Sequence, residues 1–222
     1  MRIRRLGIVC ALGALLTAGT ARAIVVTTPR RIMVIGDSIM AGTGLQRVQN
    51  QATYRLQRAT HAEFQNFASP GATMADVGTV PGMNQASASV NLLAGIAGHR
   101  LYGLVVVLGT NDWALPAITP DGFEAAYGAF LEALPTDLHV VCMSSPWSSF
   151  RDGRPNTYGE TLDDYRARTK AVCEAHGYTY LDGTLAVPHD PSFYVDGLHP
   201  NDRGHRAMAT FLLRALRQLG WL

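Results

Sequence analysis

The chain has 222 residues, of which 47 % are hydrophobic and 16 % are charged, and its formal net charge is +2. This length fits one domain or at most two small ones, and the apolar fraction together with the low net charge excludes an intrinsically disordered chain. A nucleic-acid partner would require a face of clustered lysines and arginines, whereas the chain has a single lysine, Lys170. The composition therefore predicts no nucleic-acid partner.

The first 23 residues have the layout of an export signal. Three arginines lie within Met1–Arg5, an apolar run follows at Leu6–Leu16, and Ala21 and Ala23 are the small residues that a signal peptidase recognises. A transmembrane anchor, the alternative, would need roughly 20 apolar residues. We therefore expect cleavage after Ala23, no membrane span, and a single domain over residues 24–222 that is periplasmic or secreted.

Cleavage would also remove one of the cysteines, Cys10, and would leave Cys142 and Cys173 in an oxidising compartment. There the two thiols could form a disulfide, or they could remain separate and act as small buried hydrophobes. The sequence leaves both possibilities open. Two cysteines at this separation match no zinc-binding spacing, and we predict no metal site.

Short apolar runs alternate with helix-compatible segments along the rest of the chain. Five runs are predicted to be buried strands: Arg31–Gly36, Glu63–Ala68, Tyr102–Gly109, His139–Ser144 and Tyr178–Asp182. Five segments are predicted to be helical: Gln46–Thr60, Ala86–His99, Pro120–Leu134, Thr161–His176 and Asp202–Leu219. This alternation is typical of a parallel sheet with helices on both faces. Ligands bind beyond the carboxyl ends of such strands, so the loops that follow the strands are the candidate active site.

The loop after the first predicted strand begins Gly36-Asp37-Ser38-Ile39. A serine at a turn from a strand into a helix can expose its Oγ, although capping a helix is the more common role. The pattern differs from the Gly-x-Ser-x-Gly elbow because Met40 occupies the position of the second glycine. The glycines also lack the spacing of a nucleotide-binding loop.

The loop after the last predicted strand reads Asp-Gly-Leu-His-Pro at residues 196–200. Asp196 lies three residues before His199, so its carboxylate can fold back onto the histidine Nδ1 and leave Nε2 free to accept a proton from a hydroxyl. An Asp-Gly turn before a surface histidine is a second interpretation. A pair of metal ligands is a third, but His205 is expected to face elsewhere on the next helix and so cannot complete the site.

Two further loops contain candidate hydrogen-bond donors. Gly71 follows the second strand and permits close approach of a backbone N–H to a ligand, while Asn111, in the block Gly-Thr-Asn-Asp at 109–112, follows the third strand. Each is also compatible with ordinary turn chemistry. Taken together, a serine with a histidine oriented by an aspartate forms a nucleophile with its base, and the two donors form an oxyanion hole.

These four blocks, in this order, resemble those of the SGNH hydrolases, also called GDSL esterases or lipases. The resemblance implies a flavodoxin-like, three-layer α/β/α fold with a five-stranded parallel sheet, and ester hydrolysis through an acyl-enzyme without a cofactor. It implies that Ser38 is the nucleophile, that His199 is the general base and that Asp196 orients it. It also implies that the N–H groups of Ser38 and Gly71 and the amide of Asn111 form the oxyanion hole. Ile39 replaces a leucine common in the family and conserves its volume.

The substrate is less well defined by the sequence. Aromatic residues in the predicted active-site loops suit an acyl chain, an aryl alcohol or a sugar face, and we assign Trp113, Trp147 and Phe150 to substrate binding. We expect Trp113 or Trp147 to reach the pocket rather than every aromatic residue of these loops. Arg151 and Arg154 could meet an anionic group, but a solvated loop is the preferred interpretation.

The predicted function is that of an exported carboxylesterase or arylesterase acting on short-chain esters of small molecules or carbohydrates. The alternatives are a polysaccharide or peptidoglycan O-acetyl esterase, a lysophospholipase or thioesterase, and an acyltransferase with the same triad. A catalytically silent carbohydrate-binding protein is disfavoured because every catalytic position holds a competent residue. The oligomeric state is not predicted.

Overall fold

The computed structural model describes residues 29–75 and 101–222. Five parallel strands form one sheet in the order β2-β1-β3-β4-β5. They are β1 Arg31–Gly36, β2 Glu63–Asn66, β3 Leu101–Val107, β4 His139–Met143 and β5 Thr179–Leu181. The predicted α/β fold with a five-stranded parallel sheet is confirmed, and each strand overlaps its predicted run. The predicted export signal and the predicted helix Ala86–His99 lie outside the described residues.

Six α-helices occur in the described part of the chain. They are α1 Ser38–Ala41, α2 Ala52–Ala59, α3 Thr110–Ala114, α4 Pro120–Glu132, α5 Leu162–Ala175 and α6 Asp202–Gln218. The three long helices match their predictions and begin at side chains that accept backbone N–H groups, Thr119, Thr161 and Asn201. The short helices α1 and α3 occupy segments that were predicted to be loops.

The predicted helix Gln46–Thr60 is wrong in its first half. The structure has a 3₁₀ turn at Val48–Asn50, then an extended residue, Gln51 (φ −57°, ψ 145°), and only then α2. The Gln51 side chain donates a hydrogen bond to the carbonyl oxygen of Ala41 at 2.5 Å. This long-range contact holds Gln51 in the extended conformation, and the helix therefore starts one residue later.

The sheet is covered on both faces, as the alternation along β1 shows. Met33 and Ile35 belong to one apolar cluster, to which α4 and α5 contribute, whereas Ile32 and Val34 belong to a second cluster, to which α2 and α6 contribute. The helices pack in the same pairs. Burial on both faces explains why the β3 sequence is continuously apolar.

Cys142 on β4 and Cys173 on α5 are both buried in the first of these clusters, and both are free thiols in the structure. A hydrogen bond between the two side chains raises the pKa of Cys142 and lowers that of Cys173. The sheet and the helix therefore bring the two cysteines together, as the disulfide interpretation requires, although both are thiols in the structure.

The strand order places a topological switch point at β1. The chain passes from β1 to β2 on one side and later returns to β3 on the other side. Ligands in open parallel sheets bind at such a point, beyond the carboxyl ends of the strands. The loops that follow β1, β2 and β3 meet there. No helix within residues 29–75 and 101–222 is both long and apolar enough to span a lipid bilayer.

Candidate active site

Ser38 lies on a tight turn between β1 and α1. The Asp37 carboxylate accepts the backbone N–H of Ile39 at 2.9 Å and caps α1, so Ser38 is the first residue of the helix. A Cβ atom at Gly36 would lie 2.9 Å from Cβ of Met40 and 3.0 Å from the carbonyl oxygen of Val107. The turn therefore requires glycine before the Asp-Ser pair. Capping, the common role of serine at such a position, belongs to Asp37 instead.

His199 connects Ser38 to Asp196. Its Nε2 lies 2.9 Å from Ser38 Oγ, across 161 positions of the sequence. Its Nδ1 lies 2.7 Å from Asp196 Oδ2. The other carboxylate oxygen of Asp196 accepts the backbone N–H groups of Leu198 at 3.0 Å and His199 at 2.8 Å. The predicted fold-back of the aspartate onto the histidine is thus present, and it is completed by the serine.

The hydrogen bonds at Asp196 also control its ionisation. Partial burial raises the pKa of Asp196, but hydrogen bonds from the backbone N–H and the side chain of His199 outweigh this effect and lower the pKa to about 2. Asp196 is therefore ionised at neutral pH and accepts a proton-bearing Nδ1. In that tautomer of His199, Nε2 is the acceptor that faces the Ser38 hydroxyl.

Asp37, which precedes Ser38, has the opposite electrostatic behaviour. Burial raises the pKa of Asp37 to about 6, although the hydrogen bond from Ile39 and the positive charge of Arg151 both oppose the rise. The Asp37 carboxylate is a buried polar group in the turn that carries Ser38.

If Asp196 and His199 were metal ligands, they would need a third ligand, and His205 does not provide one. That histidine lies on α6, fully buried, and its Nδ1 accepts the backbone N–H of Ala52 at 3.3 Å. Within residues 29–75 and 101–222, no group of three or more His, Cys, Asp and Glu side chains is arranged to hold a metal ion.

Gly71 lies in a tight turn beyond β2. The N–H of Ala72 donates to the carbonyl oxygen of Ser69 at 3.1 Å, and Gly71 has a φ of 80°, which is the left-handed region that favours glycine. Pro70 precedes Gly71, as in type II turns. The N–H of Ser69 donates to the carbonyl oxygen of Gly36 at 2.9 Å. The turn is therefore anchored to the end of β1, next to Ser38.

Asn111 is the second residue of α3. Its Nδ2 donates a hydrogen bond to the carbonyl oxygen of Ala72 at 2.9 Å, which places the amide beside the Gly71 turn. An amide nitrogen carries two hydrogens, so one remains for a further acceptor. The structure thus brings Ser38, Gly71 and Asn111 together at the switch point.

Asp112 organises the same loop, a role that the sequence analysis missed. Its buried carboxylate accepts the N–H of Met74 at 2.9 and 3.0 Å and the N–H of Ala75 at 2.9 Å. Burial raises the pKa of Asp112 to about 7 despite these hydrogen bonds. The one signal available in the sequence was an acidic residue directly after Asn111, at the end of the most buried strand.

Arg166 on α5 is a second residue that the sequence analysis missed. Its buried guanidinium donates to the carbonyl oxygens of Ser145 (3.0 Å) and Pro146 (2.7 Å) and to the carboxylates of Asp163 (2.6 Å) and Asp152. All five N–H donors are used, two of them on Asp152. Arg166 therefore fixes the loop that follows β4.

The loop held by Arg166 in turn contacts the loop that carries His199. The Asp152 carboxylate accepts the backbone N–H of Ser148 at 2.5 Å, and the Ser148 hydroxyl donates to the carbonyl oxygen of Gly197 at 2.8 Å. Gly197 lies between Asp196 and His199. A chain of hydrogen bonds therefore extends from α5 to the Asp196–His199 turn.

The predicted substrate-binding aromatics do not form one common wall. Trp113 is on α3 with Asn111, and its Nε1 donates to the carbonyl oxygen of Glu160 at 3.0 Å. The ring of Trp147 stacks on His189 with 5.2 Å between centroids. Phe150 is 55 % exposed. Trp113 is thus the aromatic residue most directly tied to the Ser38–Asn111 region.

Comparisons with known proteins agree with this architecture. The sequence model of the GDSL-like lipase/acylhydrolase family matches residues 34–207. No curated protein matches the sequence.

Several solved structures share the fold. A carbohydrate acetylesterase family member from Sinorhizobium meliloti is 20 % identical, with a TM-score of 0.69 over 87 % of this chain and 100 % of its own. The inhibitor-bound aryl esterase of M. smegmatis is 20 % identical, with a TM-score of 0.70 over 86 % of this chain and 99 % of its own. A family two carbohydrate esterase from Clostridium thermocellum, in complex with cellohexaose, is 22 % identical, with a TM-score of 0.67 over 88 % of this chain and 67 % of its own. At these identities the likeness establishes the fold.

Proposed function

This chain belongs to the GDSL-like lipase/acylhydrolase family, and from that premise we propose that it is an exported serine esterase that cleaves short-chain carboxylic esters through an acyl-enzyme. The observation that carries the proposal is the continuous path from Ser38 Oγ to His199 Nε2 (2.9 Å) and from His199 Nδ1 to Asp196 Oδ2 (2.7 Å). A hydroxyl, an imidazole and a carboxylate in this order form a nucleophile, its base and the group that orients the base.

In the first half-reaction, Ser38 Oγ attacks the carbonyl carbon of the ester while His199 Nε2 takes the serine proton. Asp196, ionised at neutral pH, stabilises the imidazolium that forms. The tetrahedral intermediate then collapses, the bond to the alcohol oxygen breaks, and the alcohol leaves with the proton from His199. Ser38 is left acylated.

In the second half-reaction, water attacks the acyl-enzyme and gives a proton to His199. The second tetrahedral intermediate collapses, Ser38 regains its proton from His199, and the carboxylic acid leaves. The net reaction consumes one ester and one water and returns the enzyme unchanged.

The oxyanion hole of the proposed mechanism consists of the N–H groups of Ser38 and Gly71 and the free hydrogen of the Asn111 amide. Their proximity supports this assignment, since Asn111 is bonded to Ala72, the residue after Gly71. Donors fixed in advance stabilise the negative oxygen without reorganisation during the reaction. Asp112 holds the following residues, Met74 and Ala75, and so positions the loop.

The proposed substrate is an ester with a short acyl chain, as the sequence predicts. An O-acetyl ester of a polysaccharide is the second candidate, since two of the three solved structures compared with this chain are named as carbohydrate esterases. Trp113 would provide an aromatic face for either an aryl group or a sugar ring. Export is proposed from residues 1–23 alone.

A substrate panel with a matched pair of variants tests the function. Ser38→Ala and, as a control, Ser192→Ala, which changes an exposed serine, are compared with the parent on p-nitrophenyl esters of increasing chain length, acetylated xylan and acetylated peptidoglycan. Loss of a triad member lowers kcat by about 10⁴–10⁶-fold. We expect that loss for Ser38→Ala and parent-like rates for Ser192→Ala. Ser38→Ala activity within tenfold of the parent would sink the proposal.

The same panel separates the alternatives. A preference for acetylated polymer over the short nitrophenyl esters would identify an O-acetyl esterase. Formation of a new ester when an alcohol is added to the assay would identify acyl transfer, because an alcohol then replaces water in the second half-reaction. Activity that rises with chain length would identify a lysophospholipase or thioesterase type of substrate.

A further inference from the structure

Arg151 is fixed to the loop that carries His199. Its backbone N–H donates to the Ser148 hydroxyl at 3.1 Å, and that hydroxyl donates to the carbonyl oxygen of Gly197 at 2.8 Å. The backbone of Arg151 therefore has a set position relative to Asp196 and His199.

The side chain of Arg151 extends from there to α3. Its Nη1 donates to the carbonyl oxygen of Thr110 at 2.5 Å, and Thr110 is the residue before Asn111. Its Cζ lies 5.5 Å from the centre of the Trp113 ring. Arg151 thus connects the histidine loop to the helix of the proposed oxyanion hole, and its guanidinium lies in the region between them. The interpretation of this arginine as part of a solvated loop is wrong, because the side chain is half-buried and held at both ends.

Among residues 29–75 and 101–222, no carboxylate forms an ion pair with the Arg151 guanidinium. The other two half-buried or buried arginines near this loop pair with carboxylates, Arg166 with Asp152 and Arg168 with Glu160. Within residues 29–75 and 101–222, Arg151 makes one hydrogen bond through its guanidinium and no ion pair. A guanidinium has five N–H donors in a planar fork, so most of its donors have no protein acceptor there.

The surroundings of Arg151 are those of the catalytic centre. Burial lowers the pKa of its guanidinium, while the charges of Asp37 and Asp196 raise it. An arginine stays protonated in proteins, so a half-buried positive charge remains close enough to interact with Asp37, which precedes Ser38, and with Asp196, which bonds His199. Burying a charge without a partner is costly, and a ligand that brings a negative charge to this position is favoured. The guanidinium lies over the Trp113 ring, and the N–H edge of a guanidinium can bind a carboxylate with two parallel hydrogen bonds.

We propose that Arg151 forms a subsite for a carboxylate of the substrate, so that the enzyme prefers esters that bear an acidic group near the scissile bond. This inference rests on the proposed esterase function and specifies its substrate class. The carboxylate can belong to the acyl part or to the alcohol part of the ester, and the shared chemistry is an anionic oxygen pair within reach of the guanidinium.

Three esters distinguish these arrangements. p-Nitrophenyl acetate is the neutral reference, p-nitrophenyl hemisuccinate carries a carboxylate on the acyl side, and the acetate of a carboxylated nitrophenol carries one on the alcohol side.

The variants are Arg151→Gln, Arg151→Lys and, as a control with the same change of charge, Arg154→Gln. Arg154 is exposed and lies over the Phe150 ring at 5.4 Å. The readout is the ratio of kcat/KM for each anionic ester to that for the neutral ester in the same preparation, which cancels differences in the folded fraction.

For Arg151→Gln we expect this ratio to fall by about 10–100-fold on one of the two anionic esters, the range for one charge-assisted hydrogen bond. Arg151→Lys keeps the charge but loses the fork, and it should recover part of the ratio. Arg154→Gln should change the ratio by less than about threefold, the scale of a solvent-exposed charge.

Three results would overturn the inference. If the kcat/KM ratio changes less than threefold for both anionic esters in Arg151→Gln, Arg151 does not form a carboxylate subsite. An equal loss on all three esters would show that Arg151 supports the charges of the catalytic centre instead of binding substrate. A loss in Arg154→Gln as large as in Arg151→Gln would show only a general effect of net charge. If the parent hydrolyses none of the three esters, the proposed function itself fails, which is distinct from each of these results.

Discussion

The side-chain amide of Asn111 donates a hydrogen bond to the backbone carbonyl oxygen of Ala72 at 2.9 Å. This bond joins the loop after β3 to the loop after β2, which approach each other beyond the end of β1, the strand that lies between β2 and β3. It uses one amide hydrogen and leaves the other for a further acceptor. Asn111 therefore has two separable effects, one on the position of the loop and one on the proposed oxyanion hole.

Asn111→Ala and Asn111→Asp should separate these two effects. Both variants lose the bond to Ala72, which costs about 1 kcal/mol of unfolding free energy. Both also lose a donor to the oxyanion, which should lower kcat by about 10²–10³-fold with a smaller effect on KM. Asn111→Asp keeps the size of the side chain but places an acceptor where a donor is required, and it should be at least as impaired as Asn111→Ala. Denaturation curves and steady-state kinetics measure the two quantities. A folded Asn111→Asp variant with near-parent kcat would show that Asn111 is not part of the oxyanion hole.

Asp112→Ala should loosen the same loop from its other side. The variant leaves the N–H groups of Met74 and Ala75 without their buried acceptor, and each such loss costs about 1–3 kcal/mol. We expect a lower unfolding free energy and a reduced kcat, since the loop also contains Gly71. Chemical denaturation followed by kinetics checks this, with Asp121→Ala as the control because the Asp121 side chain is 95 % exposed. Equal stability of the two variants would argue against an anchoring role.

Arg166→Met should destabilise the protein more than a surface charge change does. The Arg166 side chain is 6 % exposed and that of Asp152 is 15 % exposed, so removal of the arginine leaves a nearly buried carboxylate without its partner. Breaking such a pair costs about 3–5 kcal/mol. The double variant with Asp152→Asn removes both charges and should recover part of that loss. If the unfolding free energy of Arg166→Met lies within about 1 kcal/mol of that of the parent, Arg166 does not hold the loop after β4 in place.

The buried histidine of α6 should make the stability depend on pH. Burial, assisted by the charge of Arg55, lowers the pKa of His205 to about 4, against 6.5 for an unperturbed histidine. The unfolded chain therefore binds a proton between pH 6.5 and pH 4 that the folded chain does not. The contribution of neutral His205 is complete above pH 6.5 and is lost as the pH falls toward 4.

The comparison of parent and His205→Asn measures this contribution. Asparagine preserves an acceptor for the Ala52 N–H but does not titrate, and carboxylates such as Asp37 and Asp112 titrate in both proteins. The unfolding free energy of the parent, relative to the variant, should fall by about 3 kcal/mol between pH 7 and pH 4. A difference that is constant over this range would contradict the buried, neutral state of His205.

The fold and the proposed catalytic residues are predictable because their signals are local. A buried strand such as β3 is a continuous apolar run, and the spacing of Asp196 and His199 alone permits the fold-back that the structure shows. Spacing along the chain does not by itself show that His199 meets Ser38. That pairing is predictable only through the parallel sheet, in which the loops after β1 and β5 lie at the same end of the strands.

The features that were missed depend on contacts between distant residues. Gln51 delays the start of the predicted helix because its side chain bonds to the Ala41 carbonyl oxygen, and Arg166 fixes the loop after β4 because it donates to the Pro146 carbonyl oxygen. Arg151 is similar, since only the folded chain places it between Trp113 and the His199 loop. Propensity and spacing describe neighbours along the chain, and none of these pairs are neighbours.

The central claim is that Ser38 is the nucleophile, and stoichiometric labelling tests it most directly. The parent is treated with a serine-directed fluorophosphonate, residual activity is followed against time, and the modified residue is located by mass spectrometry. We expect one phosphonyl group per chain, on Ser38, with loss of activity in parallel, and no label in Ser38→Ala. An adduct on a different residue, or full inactivation without an adduct on Ser38, would contradict it.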